Sequence, residues 1–309
     1  MSDTGPGEPV GSADGMCRSD EQGMQGRRTF SPTSWEASGG GLCFTRPAPL
    51  RTEAAPATPD PPPITKDAME HSSRPGARHL PSNLRIIHED RDIIVVDKPA
   101  GMLTMASDTE KTRTAYFALT DYVRKGNSKS RNRIFIVHRL DRETSGLVLF
   151  AKTEEAKRVL QERWPDTTKT YAAVVHGLMG KPSGLAISHL VESGVHKVYA
   201  TRDTSQGKLA RTAWAVVQER GNFTLLDIEL LTGRKHQIRV QMADLGHPVA
   251  GDRKYGVKGD TFPRLALHAK SITFTHPFSG QVMTLSAQVP SVFAQLVGRI
   301  GPGGAGSEG

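Results

Sequence analysis

Apolar positions along this chain gather into short runs that begin late and follow two different periods. From Leu84 onward, runs of four to eight residues rich in Ile, Val, Leu and Phe alternate with polar turns, the pattern of β-strands. Strands are expected at residues 84–89, 93–97, 134–137, 147–151, 169–176, 185–191, 197–202, 211–218, 223–231, 265–275 and 282–287. Helical spacing appears at 115–125, where Ala115, Ala118, Leu119, Tyr122 and Val123 share a face and Gly126 follows as a stop. It appears again after Thr153, a capping residue followed by Glu154 and Glu155, with Ala156, Val159 and Leu160 as the buried side and Pro165 as the end. A third helix is expected at 236–245, with Ile238, Met242 and Leu245 inward and Gly246 closing it, and a short one at 292–297. Many strands, few helices and short linkers suit antiparallel pairing. Residues 1–80 show neither period and hold 11 of the 20 prolines. That composition predicts a disordered extension, or a start assigned too early, with Met69 as a later candidate. The folded domain is then expected over 81–298, with a flexible tail at 299–309.

Composition changes this picture in two respects. The chain of 309 residues is 37% apolar and 6% aromatic, below a globular average, but the deficit falls in the extension and leaves an ordinary domain after it. Charge divides the same way. Residues 1–80 carry 8 Lys+Arg against 10 Asp+Glu, so the remaining 32 basic and 22 acidic residues leave a net +10 on the folded part. Such a surface favours a polyanion, nucleic acid first and an anionic membrane second. The two cysteines, Cys17 and Cys43, lie in the extension, and no Cys/His spacing suits a metal, so neither a disulfide framework nor a structural zinc is expected. No signal-peptide core and no run of membrane-spanning length is present. The expectation is a cytoplasmic protein without membrane or metal.

The candidate chemistry lies between the runs at 134–137 and 147–151, where a short loop carries His138, Arg139, Asp141, Arg142, Glu143, Thr144 and Ser145. Charged groups mounted between buried strands are held rigidly, and Gly146 signals a bend or a close backbone approach. On loop chemistry alone Asp141 reads as a turn cap or a partner of Arg139 or Arg142. Tyr171 reads as a buried strand residue with a satisfied hydroxyl. Arg239 sits beside the apolar stripe of its helix, at the border with solvent, either with a packed stem or with its guanidinium turned inward onto a carboxylate. Residues 125–133 are basic and contain no acid, which suits a solvated loop or a phosphate-contacting loop beside the active site.

The segment His138-Arg-Leu-Asp141-Arg-Glu-Thr-Ser-Gly146 resembles the signature of the RluA-type pseudouridine synthases. Lys169-Thr-Tyr171 resembles that family's Lys-x-Tyr motif, and Gly207-Lys-Leu-Ala-Arg-Thr212 its Gly-Lys-x-Ala-x-Thr segment. Leu231-Thr-Gly-Arg-Lys-His-Gln-Ile-Arg239-Val is similar to its Thr-Gly-Arg-x-His-Gln-x-Arg motif. Asp97-Lys98-Pro-Ala-Gly101, Leu245-Gly-His-Pro-Val-Ala-Gly-Asp-Arg-Lys-Tyr255 and Leu267-His-Ala also stand in the family's order. The resemblance covers residues 84–289. One departure is Gln241, where the family usually has His after Arg-Val, which touches a supporting contact.

The resemblance implies an α+β catalytic domain: a bent, mainly antiparallel mixed sheet with flanking helices and an active-site cleft across it. It implies isomerisation of uridine to pseudouridine in structured RNA, ribosomal or transfer, by a monomer without a cofactor. Asp141 would act on the sugar, by attack on C1′ or by removal of the C2′ proton. Arg239 would be its ion-pair partner. Tyr171 would stack on the uracil and accept or relay the C5 proton. Arg139 matches the side chain that fills the space of a flipped base. His138, Arg142, Lys98, Lys169, Arg234 and His236 are the remaining expected RNA contacts, although Lys98 by its residue type alone reads first as a solvent-facing lysine. An inactive RNA-binding protein or chaperone on the same fold would keep the basic surface without needing Asp141, Tyr171 and Arg239 together.

Overall fold

In the computed structural model, which describes residues 80–194, 197–201 and 203–301, the apolar runs assemble into one mixed sheet. The extension expected over 1–80 and the tail expected at 299–309 lie outside the described residues, apart from Leu80 and residues 299–301. The strands are β1 (Arg85–Glu89), β2 (Ile93–Lys98), β3 (Phe135–Ile136), β4 (Ser145–Ala151), β5 (Thr168–His176), β6 (Ser183–Glu192), β7 (Val198–Thr201), β8 (Lys208–Arg220), β9 (Phe223–Leu230), β10 (Leu267–Thr275) and β11 (Val282–Ser286). The helices are α1 (Ala115–Arg124), α2 (Glu154–Glu162), α3 (Gln237–Asp244) and α4 (Ala294–Val297). The spatial order is β1-β2-β4-β10-β5-β9-β8-β6-β7, with β3 on β4 and β11 on β10. Every pairing is antiparallel except β4 with β10. The architecture is therefore α+β, a mainly antiparallel mixed sheet with few helices.

Burial explains the two kinds of strand. β4 is buried along its whole length: Val148 and Phe150 pack toward Leu119 of α1, while Leu147 and Leu149 pack toward Ala156 and Leu160 of α2. β8 instead alternates, with Ala210, Thr212 and Trp214 inward and Leu209 and Arg211 outward, as a half-covered strand should. α1 is capped by Thr114, which accepts from Phe117 N at 3.1 Å, and it ends at Lys125 and Gly126, both with positive φ. Thr153 caps α2 by accepting from Ala156 N.

The strand expected at 134–137 is only two residues long. The chain leaves the sheet beyond Ile136, and the ring of His138 takes its place: Nε2 accepts the Leu149 N–H at 3.0 Å. Phe135 pairs with Ala151, so the basic loop before it adjoins the end of β4 remote from Asp141. Of its two readings, a solvated loop or a phosphate-contacting loop beside the active site, this placement goes against the second.

The parallel contact between β4 and β10 is confined to Ser145 opposite His268 and Gly146 opposite Ala269. Gly146 has φ +112, and a Cβ there would come within 2.3 Å of Ala269 O. The close approach expected of this glycine is the point at which the Asp141 loop enters the sheet.

Lys98, expected to face RNA or solvent, does neither. It is completely buried at the end of β2, where Nζ donates to the carbonyls of Pro99 (3.0 Å), Met102 (2.8 Å) and Arg142 (3.3 Å). The Pro99 turn folds the chain back over the side chain and supplies two of its three acceptors. Gly101 N also donates to Arg142 O, at 2.8 Å, and Arg142 Nε donates back to Gly101 O at 3.0 Å. The turn after β2 is thereby stapled to the loop that carries Asp141. Burial pulls the Lys98 pKa down to about 7, against the charges of Asp141 and Glu143.

Two outcomes follow. Gly146→Ala should cost about 3 kcal/mol, from the forbidden φ together with the backbone overlap, read as a lowered melting temperature; an unchanged melt would remove the constraint. Lys98→Met should leave RNA affinity and its salt dependence as in the wild type, because the amine meets no phosphate. It should also change the pH profile of stability. The folded pKa near 7 lies below the unfolded value of about 10.4, so the unfolded chain holds a proton that the folded chain releases. Wild-type stability therefore gains as pH rises through that window, and denaturant titrations at several pH values should show that gain absent in Lys98→Met.

Candidate active site

Asp141 stands on the loop between β3 and β4, which is tied down by backbone and hydroxyl groups. Thr104, buried, donates to Leu140 O at 3.0 Å and accepts from Leu140 N at 3.2 Å. Thr144 N donates to Asp141 O at 3.2 Å. With the Lys98 staple, these bonds fix the backbone on both sides of Asp141 and leave its side chain at a cavity mouth, 20% exposed.

The opposite wall comes from the turn between β9 and α3. Gln237, the first residue of α3, is buried and holds that turn: its Oε1 accepts from Thr232 Oγ1 (2.8 Å) and Arg234 N (3.0 Å). Its Nε2 donates to Arg211 O (3.0 Å) and Thr212 Oγ1 (2.8 Å). Thr212 donates in turn to Gln241 Oε1 at 2.6 Å, and Gln241 Nε2 donates to Ser188 Oγ and Ala210 O. Gln241, the departure from the family pattern, is thus fully used in anchoring α3 to β6 and β8.

Arg239 is the centre of the site. It was placed at the border with solvent by helical spacing, but it is 6% exposed, because α3 is covered around nearly its whole first two turns. Its Nη1 donates to Asp141 Oδ2 at 3.3 Å. Its Nε and Nη2 donate to Asp252 Oδ2 and Oδ1 at 2.7 and 2.8 Å. Asp252 is the functional residue the sequence did not single out. Burial alone would raise its pKa; the Arg239 hydrogen bonds and charge, with the N–H groups of Lys254 and Tyr255, outweigh that and hold it below the usual carboxylate range. Its loop is braced by Asp260, which accepts from Gly251 N at 2.6 Å and pairs with His176 at 2.8 Å.

The residues expected at the site divide into two groups. Asp141, Tyr171, Arg239, Arg139, Arg234 and His236 line one cavity, with Arg139 and Arg234 exposed at its rim. Arg142 is also exposed and lines the adjoining hollow beside Glu143. Burial, with the Asp141 charge behind it, pushes the Tyr171 hydroxyl up. His236 lies with Nε2 3.8 Å from Asp141 Oδ2. His138 and Lys169 belong elsewhere. His138 stacks on Trp164 with centroids 4.5 Å apart and accepts from the backbone; burial, with the Lys169 charge, takes its pKa down to about 3. Lys169 Nζ lies over the same Trp164 ring at 5.3 Å. His138 is held as part of the packing, Lys169 lies half-buried beside it, and neither lines the Asp141 cavity, whereas Lys98 is buried outright and its expected RNA contact is corrected.

Among the described residues, one group of metal-ligand types occurs, Asp90, Asp92 and His276, at the turns β1–β2 and β10–β11. Ser279 N donates to His276 Nδ1, so Nε2 keeps its proton and turns it to Asp90 Oδ2 at 3.3 Å. No described helix is long and apolar enough to cross a membrane.

Comparison with known proteins bears on the family and the fold. Residues 92–244 match the family described as RNA pseudouridylate synthase. An uncharacterised RNA pseudouridine synthase of Bacillus subtilis is 37% identical over 221 residues, covering 70% of this chain and 73% of the relative. Ribosomal large subunit pseudouridine synthase D of Vibrio cholerae is 35% identical over 246 residues, covering 74% of each. The structure of human RNA pseudouridylate synthase domain containing 4 superposes with a TM-score of 0.58 at 20% identity, covering 68% of this chain and 90% of that one, which supports the fold. On these grounds the chain belongs to the RluA-type RNA pseudouridine synthases, isomerases that act on RNA.

Proposed function

We propose that this protein converts uridine to pseudouridine at selected positions of a structured RNA in the cytoplasm, without a cofactor, with Asp141 as the carboxylate that acts on the ribose. The observation that carries the reading is the meeting of Asp141, Tyr171 and Arg239 around one cavity from three distant segments. The reaction is redox-neutral: the bond from C1′ to N1 breaks, the uracil turns, C1′ bonds to C5, and the C5 proton is lost while N1 gains one. A carboxylate serves both open routes, attack on C1′ and removal of the C2′ proton. Arg239 Nη1 reaches Asp141 Oδ2, and no described residue donates a hydrogen bond to Oδ1, which is the oxygen left for the sugar. The Tyr171 phenol stays protonated, which suits a wall for the uracil and a proton donor rather than a base.

A uridine in a folded RNA hides C1′, so the nucleotide must leave its stack. Arg139 stands exposed at the rim in position to fill the gap, and Arg142 and Arg234 flank it for phosphates. Ribosomal large-subunit RNA is the first substrate class to try, given the name of the Vibrio relative; transfer RNA is the second. The folded domain is taken as residues 81–298, acting as a monomer.

Asp141→Asn should fold, bind RNA and form no pseudouridine, read as release of tritium from C5-labelled uridine in RNA. Wild-type release by a well-folded mutant would remove Asp141 from the mechanism. RNA affinity should fall steeply with salt, since each phosphate contact releases counterions; a flat salt series would point away from a polyanion.

A further inference from the structure

His236 has a backbone that its side chain does not explain. It lies at φ 54, ψ 19, in the left-handed region, and it makes no side-chain cap for α3. Among the described residues only Lys125 shares a positive φ without being glycine. A left-handed non-glycine residue is held against a local cost and persists where its surroundings fix it. Here the fixing contact is Tyr255. His236 Nδ1 is 2.7 Å from the Tyr255 hydroxyl, and the rings meet edge to face at 5.5 Å. The same hydroxyl accepts from Val198 N at 3.1 Å. The Tyr255 ring also lies 5.2 Å beneath the Arg239 guanidinium, so one tyrosine supports both groups that approach Asp141.

The hydrogen count sets the tautomer. Val198 N–H already donates to the Tyr255 oxygen, so the phenol proton is used only if it is given to Nδ1. His236 then accepts at Nδ1 and carries its own proton on Nε2, the atom 3.8 Å from Asp141 Oδ2. Burial lowers the His236 pKa; the Asp141 charge opposes this, and Arg239, Lys254 and Lys235 add to it. The ring is therefore neutral at physiological pH. Lys235, next in the chain, is turned away onto Glu192.

We propose that His236 is a positioning residue for Asp141: a neutral imidazole, locked by Tyr255 with its N–H toward Oδ2, that orients the carboxylate without adding charge. This differs from the RNA-contact role expected from the sequence, and it rests on the reading of Asp141 as the reacting carboxylate. Arg239 gives Asp141 one hydrogen bond and spends two on Asp252, so the guanidinium alone does not fix the rotation of the Asp141 carboxylate. A second donor on Oδ2 does, and it leaves Oδ1 free. A second cation there would weaken the carboxylate as nucleophile or base; a neutral donor weakens it less. The 3.8 Å gap closes to a hydrogen bond when RNA covers the cavity and expels water, as catalytic contacts commonly tighten with substrate bound.

The test uses His236→Gly, His236→Gln, Tyr255→Phe, the His236→Gly/Tyr255→Phe double variant and Asp141→Asn, with RNA affinity, single-turnover rate and melting temperature measured on each. His236→Gly releases the backbone strain, so its melting temperature should equal or exceed the wild type, while its rate falls about tenfold to a hundredfold, the usual cost of a misplaced reacting group. Its RNA affinity should stay within about threefold, because Arg139 and Arg234 are intact. His236→Gln keeps an N–H near the position of Nε2 and should recover part of the rate. Tyr255→Phe should slow the wild type about tenfold but not slow His236→Gly further, since coupled residues are non-additive. An active Asp141→Asn would overturn the reading of Asp141 itself. An inactive Asp141→Asn beside a fully active His236→Gly would overturn only the role of His236. Loss of affinity at unchanged rate would return His236 to an RNA contact. If His236→Gly loses its cooperative melt, His236→Gln and Tyr255→Phe decide the question alone: wild-type rates in both, with Asp141→Asn inactive, overturn the role.

Discussion

A single buried guanidinium shared between two carboxylates sets the geometry on which this site depends. Arg239 brings a full positive charge to a position 6% exposed, which is tolerable only where that charge is paired and its N–H groups are used. Asp252 uses two of them in a fork, with its own side chain wholly buried. That pair is the rigid member. Asp141 receives the remaining contact, longer and single, at the cavity mouth. The asymmetry matters for chemistry. A carboxylate held bidentately by arginine would be anchored but electrostatically spent, whereas one held by a single donor, with the cation already shared, keeps an oxygen and most of its charge available. The three groups together carry a net negative charge, and the part that solvent and substrate can reach is the part on Asp141.

Fixing two carboxylates from segments 98 and 13 residues away from Arg239 requires both segments to be rigid without help from the charges. The structure achieves this with backbone bonds. Lys98 and Thr104 hold the Asp141 loop through the carbonyls of Arg142 and Leu140. Asp260 holds the Asp252 loop through the N–H of Gly251. Gln237, Thr212 and Gln241 hold the helix that carries Arg239. Gln237 lines the cavity and Thr104 the adjoining hollow, but the polar atoms of both are taken up by these bonds. Removing any of these groups leaves buried donors or acceptors unpaired, so their effect on rate is expected through misplacement of Asp141 rather than through lost contact with RNA.

Strands, helix caps and the polar loop could be read from the sequence because each depends on near neighbours. Thr153 and its two glutamates announce α2, and Gly146 announces a close approach that becomes the contact with Ala269. What could not be read depends on partners far along the chain. Nothing in the residue type of Lys98 distinguishes a buried lysine from an exposed one; the difference is the Pro99 turn, which folds two carbonyls over it, and the Asp141 loop, which brings a third. His138 looked like part of the site because it adjoins Arg139 and Asp141, but its ring substitutes for a missing strand residue opposite Leu149. Asp252 lay in a glycine-rich loop whose sequence named no partner for it, and only the close return of that loop against α3 turns its carboxylate onto Arg239. The borderline position of Arg239 on its helix failed for a related reason. Helical spacing assumes one covered face, and α3 is covered by β6 and β8 on one side and by the Asp252 loop on another.

The basic excess of the folded part needs the same discrimination. Counted by residue it looks like one positive surface, but burial sorts the cations into three kinds. Lys98 and Arg239 are interior and paired with carbonyls or carboxylates; they are structural or electrostatic components of the site and cannot neutralise phosphate. Lys152, Lys235 and Lys270 are already matched to Glu89, Glu192 and Asp227. Arg139 and Arg234 stand exposed at the rim of the cavity and Arg142 at the adjoining hollow, while others, among them Lys129, Arg131 and Arg133, are exposed away from it. The number of counterions released per RNA bound is therefore expected to follow the cations still free to meet phosphate, and not the net charge of +10. In the proposed mechanism affinity and chemistry fall to different cations, which is the physical reason that substitutions at Asp141, Arg239 or His236 are expected to separate rate from binding.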